Sequence, residues 1–223
     1  FSPPSNQVGQ KPEESVNIEL GTRFNTKGLR GEIIAFYNQY SNLLGSDLAA
    51  TGGTGSLEQF NAGEVRGNGF EMLLNYDLIK TNSNFKLPLT FAYTYTNSKF
   101  LNSFDSDDSL WGEVTIGDQL PYIANHQFSS TISLEHKDFE INLSGRFNGA
   151  FRTKAGRGDI PENEKVNSSF IIDFSGKYYL SKHINLTANL VNLLDTTYAV
   201  SRVPAGLRPG LPFGAFAGFN IKL

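Results

Sequence analysis

Arginine suits carboxylate recognition, because its planar guanidinium presents a rigid fork of N–H donors. In this sequence Arg202 and Arg208 share one stretch, Thr196 to Gly210, that contains no acid. Leu101 to Ala124 is the opposite, with Asp105, Asp107, Asp108, Glu113 and Asp118 and no base. Arg152 and Gln59 sit where strands give way to two other long loops and are second choices for holding an anion. Asp105, Asp107 and Asp108 offer hard oxygens of the kind Ca²⁺ takes, but they match no EF-hand spacing and read as a solvated acidic loop. The three histidines, His126, His136 and His183, lie far apart at turns or strand ends. His126 with Ser129 or Ser130 is the one Ser/His combination worth weighing for nucleophilic catalysis, and no Gly-rich phosphate loop or metal-ligand cluster accompanies it. The chemistry on offer is capture of a ligand by loops, without catalysis and without a cofactor.

The elements that carry these loops alternate with period two, so they are strands. The end of the chain shows it most clearly. Phe213, Ala215, Ala217, Phe219, Ile221 and Leu223 fall on one face, and Gly214, Phe216, Gly218, Asn220 and Lys222 on the other. Upstream, strands are expected over 15–24, 29–40, 61–78, 85–100, 125–136, 139–151, 166–180 and 184–190. Pro88 has no N–H to donate, so it marks an end or a bulge. Tyr37, Tyr40, Tyr93, Tyr95, Phe151, Tyr178, Tyr179 and Tyr198 gather near strand ends, as an interfacial aromatic girdle requires.

About nine strands of roughly 10–15 residues are long for a soluble sheet and suit tilted membrane-spanning strands. Connections alternate short and long, as in a meander with tight turns on one side of a membrane and long loops on the other. No apolar run reaches the length of a membrane helix, and barrel strands do not need one. There is no cysteine for a disulfide framework, and a net charge of −3 gives no nucleic-acid footprint. Glu19, Arg23, Glu71, Asp77, Arg146, Asp173 and Lys177 are expected to face a polar lumen. Nine strands from a long-loop start to a turn-side end also make an odd number, whereas complete bacterial barrels have an even one. The expectation is therefore an all-β, antiparallel up-and-down transmembrane barrel, of which residues 1–223 form the C-terminal part.

Several segments together resemble the TonB-dependent receptors of Gram-negative outer membranes. Val191-Asn192-Leu193-Leu194-Asp195, Tyr198 and Arg208-Pro209-Gly210 are similar to that family's last hairpin. Glu19-Leu20-Gly21, Ala35-Phe36-Tyr37-Asn38, Tyr40-Ser41-Asn42-Leu43 and Gly67-Asn68-Gly69-Phe70-Glu71 are similar to strands further upstream. Within the family, Asp105 to Gly117 with Trp111-Gly112, Leu120-Pro121-Tyr122 with His126-Gln127, and Ser201 to Gly206 resemble ferric dicitrate receptors.

The resemblance implies a barrel of about 22 strands with a plugged lumen. It implies uptake of a ferric chelate, ferric citrate first, powered by the inner-membrane TonB complex through a region before Phe1. Outer-membrane lipid and lipopolysaccharide would surround the barrel, and Arg202 and Arg208, then Arg152 and Gln59, would meet the chelate. Another siderophore, a structural or adhesive barrel without transport, and a soluble multi-stranded sheet are the alternatives. Native protein taken from outer membranes is expected to weigh several-fold more than this chain, and an equal mass on intact-mass measurement would remove the plug and the transport reading with it.

Overall fold

A computed structural model describes residues 11–43, 63–79, 84–105, 111–203 and 206–222. Nine long strands form one antiparallel sheet in which each strand pairs with its neighbours in sequence. They are β1 (Glu14–Thr26), β2 (Leu29–Ser41), β3 (Val65–Asp77), β4 (Pro88–Phe100) and β5 (His126–His136). β6 (Phe139–Asn148), β7 (Ser169–Tyr179), β8 (Ile184–Val191) and β9 (Gly214–Ile221) complete the order. Among the described residues β1 and β9 do not pair with each other, so the sheet is an open wall.

Short connections are built from turn chemistry. Thr26 pairs with Leu29 around Lys27 and Gly28, both left-handed, with φ of 45° and 89°. Two residues with positive φ match the twist of a tight hairpin. His136 pairs with Phe139 around another two-residue turn, where His136 Nδ1 lies 3.3 Å from Asp138 Oδ2. Ser181 Oγ accepts the N–H groups of His183 and Ile184 at 3.2 and 3.1 Å. Pro88 opens β4, and Leu87 breaks that strand from the two-residue piece Phe85–Lys86, as the missing donor requires. Asp77 Oδ1 accepts the Leu87 N–H at 3.3 Å across the break.

Register sorts the side chains into two faces. One carries Leu20, Ala35, Phe70, Tyr95 and, further along, Phe128, Phe147, Phe170, Leu143, Phe174 and Leu190. The other carries all seven residues expected in the lumen. On that face Arg23 pairs with Glu32, and Arg146 with Asp173 at 2.9 Å. Thr131 and Ser144 hydroxyls meet at 2.9 Å, and Ser133 donates to Asn142 at 2.5 Å. Adjacent Ile33 and Ile34 separate by parity, Ile33 opposite Met72 on the apolar face and Ile34 opposite Glu71.

The girdle needs correction. Tyr37, Tyr93, Tyr95 and Tyr178 stand on the apolar face, but Tyr40 and Tyr179 have lumen parity, and Phe151 and Tyr198 lie beyond the wall strands. Nearness to a strand end does not fix the face; parity does. The aromatics that do cluster include Phe128 with Phe147 at 5.0 Å and Phe70 with Tyr93 at 5.5 Å.

The buried apolar residues do not lie between layers of the sheet. Leu43, Val65, Phe100, Trp111, Val114, Leu120 and Ala155 form a cluster at the long-loop end, with a second one of Ala124, Phe151 and Val166. Two expected strands are cut short to build it. Residues 139–151 stop as wall at Asn148, where Gly149 N–H turns to His126 O at 2.8 Å. Phe151 then pairs with Val166, which therefore leaves the start of the next strand to Ser169.

Two outcomes follow for the full-length receptor unfolded from lipid vesicles. Leu143→Arg on the apolar face should cost about 2–4 kcal/mol, and Ser144→Arg on the opposite face far less. Gly69→Ala should fold poorly, because the added Cβ would lie 1.8 Å from the Tyr95 carbonyl oxygen.

Candidate functional site

The loops at the long-loop end form a cap whose geometry rests on three polar anchors. Asn192 is fully buried in the left-handed region, with φ of 49°. Its Nδ2 donates to Thr196 O at 2.9 Å and Leu211 O at 3.0 Å, and its Oδ1 accepts the Thr196 N–H at 2.9 Å. One amide thus closes both ends of the loop that carries the two arginines. Asp195, also left-handed, accepts the Phe213 N–H at 3.0 Å.

Tyr122 is the second anchor. Its hydroxyl donates to Val203 O at 3.0 Å and accepts the Val203 N–H at 2.9 Å, across 81 residues. Tyr122 itself has φ of 61°. Between Asn192 and Tyr122 the loop forms a small ribbon, Ala199–Ser201 against Arg208–Pro209, in which Ser201 opposes Arg208. Tyr198 packs over Gly210, where any Cβ would lie 2.0 Å from the ring.

Arg152 is the third anchor. It is 3% exposed, and its Nε donates to Gln119 Oε1 at 3.2 Å and its Nη2 to Gly158 O at 3.0 Å. Burial pushes the guanidinium below its ordinary value, and Asp118 and Glu164 oppose that shift. Asp118 is itself buried, taking the Thr115 N–H at 2.8 Å and the Thr115 hydroxyl at 3.1 Å.

The expected ligand residues thus separate. Arg208 is exposed on the ribbon. Arg202 is half-buried beside it and donates from Nε to Lys165 O at 3.2 Å. Arg152 is buried and holds loops, with Nε on Gln119 and Nη2 on Gly158. Gln59, Asp107 and Asp108 lie outside the described residues. His126 Nδ1 lies 2.8 Å from Tyr93 OH on the apolar face; parity places Ser129 on the other face of the wall and Ser130 on the same face four residues along the strand, about 13 Å away.

Below the ribbon a recess of about 470 Å³ opens along the wall. Gln127, Arg146 and Asn148 line its strand side, and Tyr122, Phe151 and Tyr198 its cap side. Gln127 Nε2 donates to Asn148 Oδ1 at 2.7 Å, and Arg146 is held by Asp173. A recess lined by amides, a hydroxyl, aromatic rings and the Arg146 guanidinium, with its rim made by the arginine-bearing loop at Tyr198, Ala199 and Val200, offers a polar ligand several contacts. Sequence reading did not pick out Asn192 or Tyr122 for a role, although both stand inside the motifs quoted above.

Comparison with known proteins identifies the family and the fold. Residues 1–193 match the family model described as TonB dependent receptor-like, beta-barrel. Over 195 residues the chain is 24% identical to the Ferrienterobactin receptor of Escherichia coli (strain K12), covering 83% of this chain and 24% of that protein. The chain therefore spans about a quarter of that relative's length. The solved siderophore receptor PiuA from Acinetobacter baumannii is similar with a TM-score of 0.71 and 20% identity, over 94% of this chain and 28% of that one. The unliganded ferric citrate transporter FecA gives a TM-score of 0.70 and 17% identity, over 94% and 31%.

The cap predicts its own weak point. Arg152→Ala should loosen it by about 1.5–3 kcal/mol, the scale of hydrogen bonds from a charged group, because Gln119 Oε1 and Gly158 O lose their donor. Faster proteolytic nicking between residues 152 and 166 of the full receptor reports this. Arg152→Lys should not restore resistance, since one ammonium cannot reach both Gln119 and Gly158.

Proposed function

Because the chain belongs to the TonB-dependent receptor β-barrel family, whose barrels reside in the Gram-negative outer membrane, we propose that it forms the ligand-capturing C-terminal part of a receptor for a ferric chelate, ferric citrate first. The family is one of transport receptors, not enzymes. The observation that carries the reading is the ribbon: Arg208 stands exposed on it and Arg202 directly follows its first strand, with no acid in their loop, and Tyr198, Ala199 and Val200 of the same loop line the recess. Ferric citrate is anionic and presents carboxylate edges, which an arginine fork meets bidentately. Exposed Arg208 makes the first contact. Arg202 supports it from a fixed position, and Gln127, Asn148 and Arg146 receive the chelate below.

In this reading residues 1–223 supply nine strands of a plugged barrel of about 22. Energy comes from the inner-membrane TonB complex, engaged by other parts of the receptor. A second reading has its own observation. Tyr122, Phe151 and Tyr198 make the cap side of the recess aromatic, and aromatic rings favour an aryl-bearing chelate such as a ferric catecholate.

Titration of the full-length receptor with each ferric chelate separates them. For ferric citrate, Arg208→Ala and Arg202→Ala should each weaken binding about tenfold or more, the scale of a lost charged hydrogen bond. Binding of a ferric catecholate but not ferric citrate, with both variants unchanged, would replace the first reading by the second. Binding of neither, with no iron uptake by cells, would leave a structural barrel.

A further inference from the structure

A charge on a lipid-facing surface needs an anion or water, since hydrocarbon gives it nothing. Two cations stand side by side on the apolar face of the wall. Arg66 of β3 is directly opposite Lys99 of β4, and Gln39 of β2 is opposite Arg66 on the other side. They lie one step below the last register pair, Val65 with Phe100, at the long-loop end. The face changes in order beneath them. The next row on the same face is Tyr37, Asn68 and Asn97, and the one after is Ala35, Phe70 and Tyr95. Successive rows are about 7 Å apart, so the surface passes from aromatic through amide and phenol to cationic over about 14 Å. That is the order of acyl chain, interface and headgroup.

Neither cation has a carboxylate partner among the described residues. Among these residues Arg66 Nε is buried with no hydrogen-bond partner. Glu14 begins β1 on this face and Glu64 precedes β3, and neither pairs with them. Gln39 receives the Tyr37 hydroxyl on Oε1 at 3.1 Å, which leaves its amide nitrogen as a further donor.

We propose that Arg66 and Lys99 clamp the phosphate of an outer-leaflet glycolipid of the lipopolysaccharide type, with Gln39 donating beside them. The guanidinium fork takes two phosphate oxygens and the ammonium a third. The acyl chains lie along the aromatic rows below. The proposal rests on the outer-membrane location and not on the identity of the chelate.

The test uses the full-length receptor in detergent, titrated with phosphorylated lipid A and followed by native mass spectrometry. Arg66→Gln with Lys99→Gln should weaken binding about 30-fold, at the scale of one headgroup-level contribution per cation. Lys137→Gln with Lys182→Gln, at the turn end, should change nothing. Dephosphorylated lipid A should bind wild-type receptor as weakly as phosphorylated lipid A binds the double variant. Equal binding by a double variant that still resists unfolding in cold SDS would overturn the clamp, and so would equal wild-type binding of the dephosphorylated lipid. Displacement by millimolar inorganic phosphate alone would overturn the lipid as occupant. If the double variant does not fold, the two lipids on wild-type receptor decide. Chelate binding by the double variant should stay at the wild-type level, so loss of lipid and loss of chelate are separate results.

Discussion

Every peptide group in a membrane wall must find its partner in the neighbouring strand, because hydrocarbon supplies none. That requirement explains why the ladder from β1 to β9 runs without a crossover and why each connection joins adjacent strands. It also explains where irregularity is allowed. Leu87 breaks the wall beside a turn, and Gly149 breaks it at the opposite rim. Between those levels the register is continuous, and parity alone decides whether a side chain meets lipid or lumen.

The wall and the cap are held by different forces. The wall has no packed second layer among the described residues, and its lumen face is a belt of ion pairs, hydroxyls and amides. The cap is organised like a small soluble core, with Phe100 and Trp111 meeting edge to face at 5.9 Å. Its loops are fixed by buried polar anchors whose donors and acceptors are satisfied locally. The proposed capture role would use that difference, because arginines on a freely moving loop would lose ordering entropy on binding, whereas the backbone of this loop is already held by Asn192 and Tyr122.

Much of the wall was legible in the sequence because period two is a local signal. All seven expected lumen residues fall on one face, and Pro88 marks the break it was expected to mark. The girdle was only half legible, since a list of aromatics near strand ends ignores which way each one points. The cap was the least legible. Phe151 and Val166 continue an alternating pattern, yet they leave the wall to pair with each other. Nothing in either stretch alone signals that, because the two residues lie fifteen positions apart and the choice depends on a shared buried cluster. Arg152 shows the same limit. Its charge and its place at a strand end suggested a ligand contact, while its burial and its bonds to Gln119 and Gly158 depend on loops that composition cannot fold.

The hydroxyl of Tyr122 on the backbone of Val203 ties together two loops that lie far apart in sequence. The arginine-bearing loop is therefore not a cassette. Moved into another scaffold without a tyrosine at the matching place, it would keep its residues and lose its shape. An exchange of this loop between relatives has to carry both loops as a unit, because a change at either end of that tie alters the shape of the other.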